Sequence, residues 1–179
     1  MIAVFIGGDS ARYEVSAAFA DSLIQQVLAA CDGVGGSCLV TTSRRTSPSV
    51  ERVLAERLGR SPRCQLLLLA SRDQLDGTME GLMGAADVAV VTGESISMVS
   101  EVCASGRRVV VVEPAPRGRA AATLTKHQRF LQLLAQGGYA RMVPLPELGL
   151  AIPRALREPP SGKRLEHFER IREAVGKLL

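Results

Sequence analysis

Short aliphatic runs alternate with longer segments of helical spacing along this 179-residue chain. Ile2 to Ile6 is the first run and ends at Gly7-Gly8. Ser37 to Thr41, Gln65 to Leu69, Asp87 to Val91 and Arg108 to Val112 follow, with a short sixth near Arg141 to Val143. Between them lie helical segments. Phe19, Leu23 and Val27 form one apolar stripe within Ser16 to Ala30. Pro48 opens a helix that runs to Leu58 and stops at Gly59. Met79 to Ala85, Met98 to Ala104 and Thr123 to Gln136 complete the set, the last two closed by Gly106 and Gly137-Gly138. Strands that are apolar along their whole length have no face to give to water. They predict a parallel sheet with helices on both faces, and the right-handed crossover rule makes that layer doubly wound. The expected fold is therefore α/β, a Rossmann-like parallel sheet of about six strands.

Residues 1–160 are expected to form this domain. Pro144 to Pro160 holds five of the nine prolines and reads as an extended or loosely helical connection. Within 161–179, Ser161 can cap a last helix with Leu165, Phe168, Ile171, Val175 and Leu178 on one face. That helix is expected to pack on the domain or on a partner.

The core must be aliphatic, because aromatics make up 3% of the chain and Trp is absent. Base stacking of single-stranded nucleic acid needs aromatic platforms, so no nucleic-acid partner is expected. A net charge of +4 suits a small anionic ligand and is too dispersed for DNA. Cys31, Cys38, Cys64 and Cys103 form no C-x-x-C pair and read as reduced core thiols. No signal peptide precedes the first strand, and no apolar run approaches the roughly 20 residues that span a bilayer. The expected location is cytoplasmic, with peripheral membrane contact left open.

Ligands of a parallel sheet bind beyond the carboxyl ends of its strands. Three loops there carry suitable chemistry. The first is Gly7-Gly8-Asp9-Ser10-Ala11-Arg12-Tyr13, where glycines let backbone approach a phosphate. A tight turn that needs positive φ would use the same glycines, and the full G-x-G-x-x-G fingerprint is missing. Thr41-Thr42-Ser43-Arg44-Arg45-Thr46 comes second and packs hydroxyls and guanidiniums into six residues. It fits either anion recognition or a solvated cap loop. The third runs Thr92-Gly93-Glu94-Ser95-Ile96-Ser97-Met98 into a helix that Ser95 or Ser97 would cap. The free amides at that helix end form an anion site. Glu101 lies about one turn inside and reads equally as a ribose ligand or as a charge that suits the helix dipole. His127 and His167 read as surface residues, although His127 lies close enough to the fifth-strand loop to reach a phosphate. No Walker lysine, metal motif or Ser-His-Asp order is present.

These three motifs, in this order, resemble a bacterial glycosyltransferase-like family related to the plant mitochondrial-fission protein named for elongated mitochondria. The pattern is also similar to the donor-binding C-terminal lobe of GT-B glycosyltransferases. The resemblance implies a nucleotide-sugar ligand, UDP-sugar or another NDP-sugar, with no metal and no NAD. It implies that Gly7, Gly8 and Asp9 form the first phosphate loop, joined by Ser10 and Arg12. Thr42, Ser43, Arg44 and Arg45 stand beside it. Ser95, Ile96, Ser97 and Met98 hold the diphosphate and Glu101 the ribose, with Gly93 and Glu94 of the same loop among the nucleotide- and phosphate-binding residues. The base would sit near Leu69 to Arg72. An acceptor lobe is expected to be absent from this chain, so the partner is either an acceptor-lobe protein or a second copy joined through the last helix. A non-catalytic interaction module is an alternative. A nucleoside-diphosphate-sugar epimerase fits less well, since neither Tyr13 nor Tyr139 has a Lys four residues on.

Overall fold

The computed structural model describes residues 1–73, 75–117, 125–159 and 162–165. In chain order the elements are β1 (Ile2–Ile6), β2 (Tyr13–Glu14), α1 (Ala17–Val34), β3 (Cys38–Thr42), α2 (Pro48–Leu58), β4 (Cys64–Leu68), α3 (Thr78–Ala85) and β5 (Val88–Thr92). Then come α4 (Ile96–Ala104), β6 (Arg108–Val112), β7 (Ala115–Pro116), α5 (Lys126–Gln136), β8 (Arg141–Met142), a 3₁₀ turn (Leu145–Glu147) and α6 (Leu148–Arg157). Six strands form one parallel sheet in the order β4-β3-β1-β5-β6-β8, as the aliphatic runs predict.

Strand alternation divides the core in two. Ile2, Val4 and Ile6 point to one face and meet Leu23 and Val27 of α1, Leu54 of α2 and Ile152 of α6. Ala3 and Phe5 point to the other and meet Met83 of α3, Val99 and Val102 of α4, and Leu131 of α5. Fully burying one such side chain contributes roughly 1.5–3 kcal/mol, so both layers are needed to hold the sheet. Cys31, Cys38 and Cys103 are buried thiols, Cys64 is half-buried, and all four are free.

Three features depart from the pattern in the sequence. First, β4 is an edge strand whose middle faces water, with Leu66 38% exposed; Cys64 and Leu67 pack against the first core layer, so helices cover only one face at this end of the sheet. Secondly, a short antiparallel ribbon pairs Tyr13 with Pro116 and Glu14 with Ala115, and ties the loop after β1 to the loop after β6. Thirdly, the proline-rich stretch is a 3₁₀ turn followed by the regular helix α6, not a loose connection. Pro153 inside α6 removes one backbone donor, which ordinarily costs a helix about 3 kcal/mol or more. Burial of Leu148, Ala151, Ile152 and Ala155 against α1 and the sheet offsets that loss. Gly149 lets the two helices close up, because a Cβ there would stand 2.5 Å from Gln26 Oε1, the atom that accepts the Gly149 amide at 3.1 Å.

The expected C-terminal helix falls largely outside the described residues, as do Ser161, 118–124 and Gln74. Residues 162–165 are not helical, and Leu165 packs against the second core layer. Among the described residues, no helix is long and apolar enough to cross a membrane.

The burial of α6 makes a stability prediction. Ile152→Ala should cost about 2–5 kcal/mol in urea unfolding, as a large-to-small change in a packed core does. Leu150→Ala, at a position 80% exposed on the same helix, should stay within about 0.5 kcal/mol.

Candidate functional site

β1 sits between β3 and β5; the chain winds from β1 to β3 and β4 on one side, then crosses back to β5 and β6 on the other. A crevice therefore opens at the carboxyl ends of the central strands, where sheets of this kind bind ligands. All three predicted loops reach this end.

Gly7 and Gly8 are required there by close approach. Neither is among the residues with positive φ. A Cβ on Gly7 would lie 1.6 Å from Glu94 Oε1, and one on Gly8 would lie 2.1 Å from the Arg45 carbonyl oxygen. The Gly7 amide donates to Thr92 Oγ1 at 2.8 Å, and Thr46 Oγ1 donates to the Gly7 carbonyl at 2.7 Å. The rest of this loop is held from within. Asp9 accepts the Val15 amide at 2.9 Å and pairs with Arg117 at 2.5 Å. Ser10 Oγ accepts the amides of Arg12 and Tyr13. Arg12 is exposed, and its carbonyl accepts the Arg117 amide at 2.6 Å. The first loop thus reads as a folded brace beside the crevice, with most of its polar groups already engaged.

A cavity of about 580 Å³ lies next to it. Thr42, Ser43 and Arg44 form one wall, and Ala70, Asp73, Leu75 and Asp76 of the loop after β4 form another. Ser95, Ser97, Met98 and Glu101 of α4 close the third side. Seven of the predicted site residues therefore line one cavity. Gly7, Gly8, Asp9, Ser10, Arg12, Arg45, Gly93, Glu94 and Ile96 do not line it.

The α4 end of the cavity carries an open helix terminus. Ser16, Ser47 and Thr125 cap their helices through the side chain, with ψ between 151° and 160°. Ser95 occupies the same position on α4 but has ψ 101°, and its side chain makes no capping bond. Capping by Ser95 or Ser97, expected from the sequence, does not form. The first-turn amides, which by geometry lack intrahelical acceptors, therefore receive no bond from the Ser95 hydroxyl. Glu101 is exposed on the next turn, and partial desolvation, then the nearby Glu80, hold its carboxyl above the ordinary range.

Glu94 is the most unusual side chain here. It is 4% exposed, and neither carboxylate oxygen has a hydrogen-bond partner. Burial lifts its pKa to about 7. Thr92, the Gly8 amide and the Arg45 guanidinium pull the other way without closing a hydrogen bond on it. His127 joins the same region from the start of α5. Its ring contacts Tyr13, with centroids 5.0 Å apart, and its Nε2 meets the Gly93 carbonyl at 2.5 Å. It is half-buried and braces the β5 loop, where the sequence suggested a surface residue. Tyr13 donates to Glu113 at 3.0 Å; burial and that carboxylate push its phenol up to about 12.

Glu51 is the residue that sequence reasoning missed. It is 6% exposed and accepts from Thr42 Oγ1 at 2.9 Å, from the Ser71 amide at 3.3 Å and from the Ser71 hydroxyl. Thr42 Oγ1 in turn accepts the Ala70 amide at 2.8 Å. This network joins two walls of the cavity and occupies the Thr42 hydroxyl. The available signal was an acidic residue on the buried stripe of Val50, Leu54 and Leu58. Among the described residues, no group of three His, Cys, Asp or Glu side chains is placed to hold a metal ion.

The Glu94 carboxyl should be visible in pH-dependent stability. Its folded pKa is raised, so the folded state binds the extra proton between about pH 4.5 and 7. Stability must then fall as pH rises through that window and level off above it, by about 3 kcal/mol in this contribution. Glu94→Gln should remove that slope. Urea unfolding of both proteins at pH 5 and pH 8 measures it, and parallel pH profiles would contradict the assignment.

The sequence profile of the family described as Mitochondrial fission ELM1 matches residues 1–178. A mitochondrial fission protein of Arabidopsis thaliana is 36% identical over 92 residues, which is 51% of this chain and 19% of that protein. Among solved structures, a protein of Listeria monocytogenes described as a UDP-N-acetylglucosamine 2-epimerase superposes with a TM-score of 0.61 at 11% identity. The superposition covers 99% of this chain and 45% of that one, so the shared feature is a GT-B-like fold over less than half of the solved chain.

Proposed function

We propose that this chain, which belongs to the mitochondrial fission ELM1 family, binds a nucleoside-diphosphate sugar as the donor lobe of a GT-B-like glycosyltransferase. One observation carries the reading. An uncapped helix N-terminus opens into a cavity of about 580 Å³ that also holds Arg44 and Glu101. The first-turn amides and the positive end of the α4 dipole suit a diphosphate. Arg44 on the facing wall adds a planar, permanently charged donor set. Glu101, one turn further along the same helix, is placed to accept the two hydroxyls of a ribose.

No metal and no nicotinamide cofactor enter this reading, because the helix end and Arg44 supply the positive charge. Sugar transfer by the whole protein is part of the proposal. The acceptor is then bound by a facing lobe, from the same longer protein or from a second chain.

Calorimetric titration with UDP, GDP and ADP in the presence of a chelator tests it. At least one should bind, and Glu101→Ala should weaken that binding about ten- to a hundredfold, the effect of losing charge-assisted hydrogen bonds worth about 1.5–3 kcal/mol. Silence from all three nucleotides up to millimolar concentration would overturn the reading.

A further inference from the structure

We infer that the nucleoside this cavity selects is guanosine. The inference rests on the nucleotide-sugar reading above and specifies its base. The charges in the cavity decide where each part of a nucleotide can lie. Asp73, Asp76 and Glu101 line it, with Arg44 as its one cation among the described residues. A diphosphate cannot face the two aspartates without like-charge repulsion, so it must take the α4 end beside Arg44. Glu101 then meets the ribose, and the base reaches the β4 loop with its two aspartates.

That end of the cavity has both an apolar surface and a polar edge. Leu75 and Met79 line it, and the Met79 thioether suits the face or edge of an aromatic ring. Asp73 is half-buried and fixed in place, since one of its oxygens accepts the Leu69 amide at 2.9 Å. Asp76 is exposed and makes no hydrogen bond or ion pair among the described residues.

A carboxylate is an acceptor only, with two oxygens side by side. Guanine offers two adjacent donors on one edge, N1–H and the N2 amino group, and a carboxylate can take both. Uracil offers one N–H between two carbonyl oxygens, which would face the carboxylates as acceptor against acceptor. Adenine and cytosine each offer a single amino group beside an acceptor nitrogen. Guanine alone matches the bidentate acceptor that Asp76 presents.

The test is calorimetric titration of the chain with GDP, IDP and UDP. GDP should bind about tenfold or more tighter than UDP, the discrimination expected of one bidentate pair. IDP lacks the N2 amino group and should bind several-fold more weakly than GDP. Asp76→Asn, at an exposed position that leaves the core untouched, should shrink the preference for GDP, weakening GDP and, by relieving the clash with the uracil carbonyls, leaving UDP no weaker than before. UDP binding as tightly as GDP overturns the inference and leaves the nucleotide-sugar reading standing. So does a GDP preference that survives both Asp76→Asn and Asp73→Asn. Absence of binding by all three nucleotides overturns that reading and this inference with it.

Discussion

The Glu94 carboxyl and the Arg45 carbonyl press on the backbone after β1 from two sides, at Gly7 and at Gly8. This contact sets the geometry of the crevice. It brings the loops after β1, β3 and β5 to one point, where Thr46 and Thr92 lock the Gly7 peptide unit by hydrogen bonds. Any side chain at Gly8 would have to displace main-chain atoms, which cannot yield as a flexible side chain does. The cost is a carboxyl buried without a partner, and burying such a group in charged form is expensive. Protonation near neutral pH is how Glu94 tolerates its position.

The surrounding polar groups divide into those that build the crevice and those that remain available in it. Asp9, Ser10, Thr42, Thr46, Glu51, Ser71 and His127 spend their hydrogen bonds on other parts of the chain. They hold the walls. Arg44, Ser97, Glu101 and the open end of α4 face the cavity, and these carry the proposed binding. A rigid rim with a few free groups keeps binding geometry defined, because the supporting side chains are already ordered before a ligand arrives.

Much of the fold was legible in the residues. Strand runs such as Val88–Thr92 and the stripe of Leu23 and Val27 reappear where periodicity put them, because alternation and the 3.6-residue repeat are local properties. The proline-rich segment misled, since α6 exists through burial of Leu148 and Ile152 against α1, a non-local contribution that outweighs helix propensity. The exposed middle of β4 was equally hidden, because edge position depends on strand order and the run Gln65 to Leu69 does not encode it.

Of the candidate site, the chain alone determined the residue types and the strand ends that carry them. Gly7-Gly8, the hydroxyl-rich second loop and the helix start at Ser95 all reach the carboxyl edge of the sheet, as parallel strands require. Only the tertiary structure decided their roles. Gly7 and Gly8 exist to admit neighbouring atoms, Asp9 and Ser10 brace a turn, Ser95 leaves its helix uncapped, and Glu51 joins two walls. The physical reason is that a hydrogen-bonding group is free or engaged according to what lies within about 3 Å of it. In a doubly wound sheet those neighbours come from strands distant in sequence.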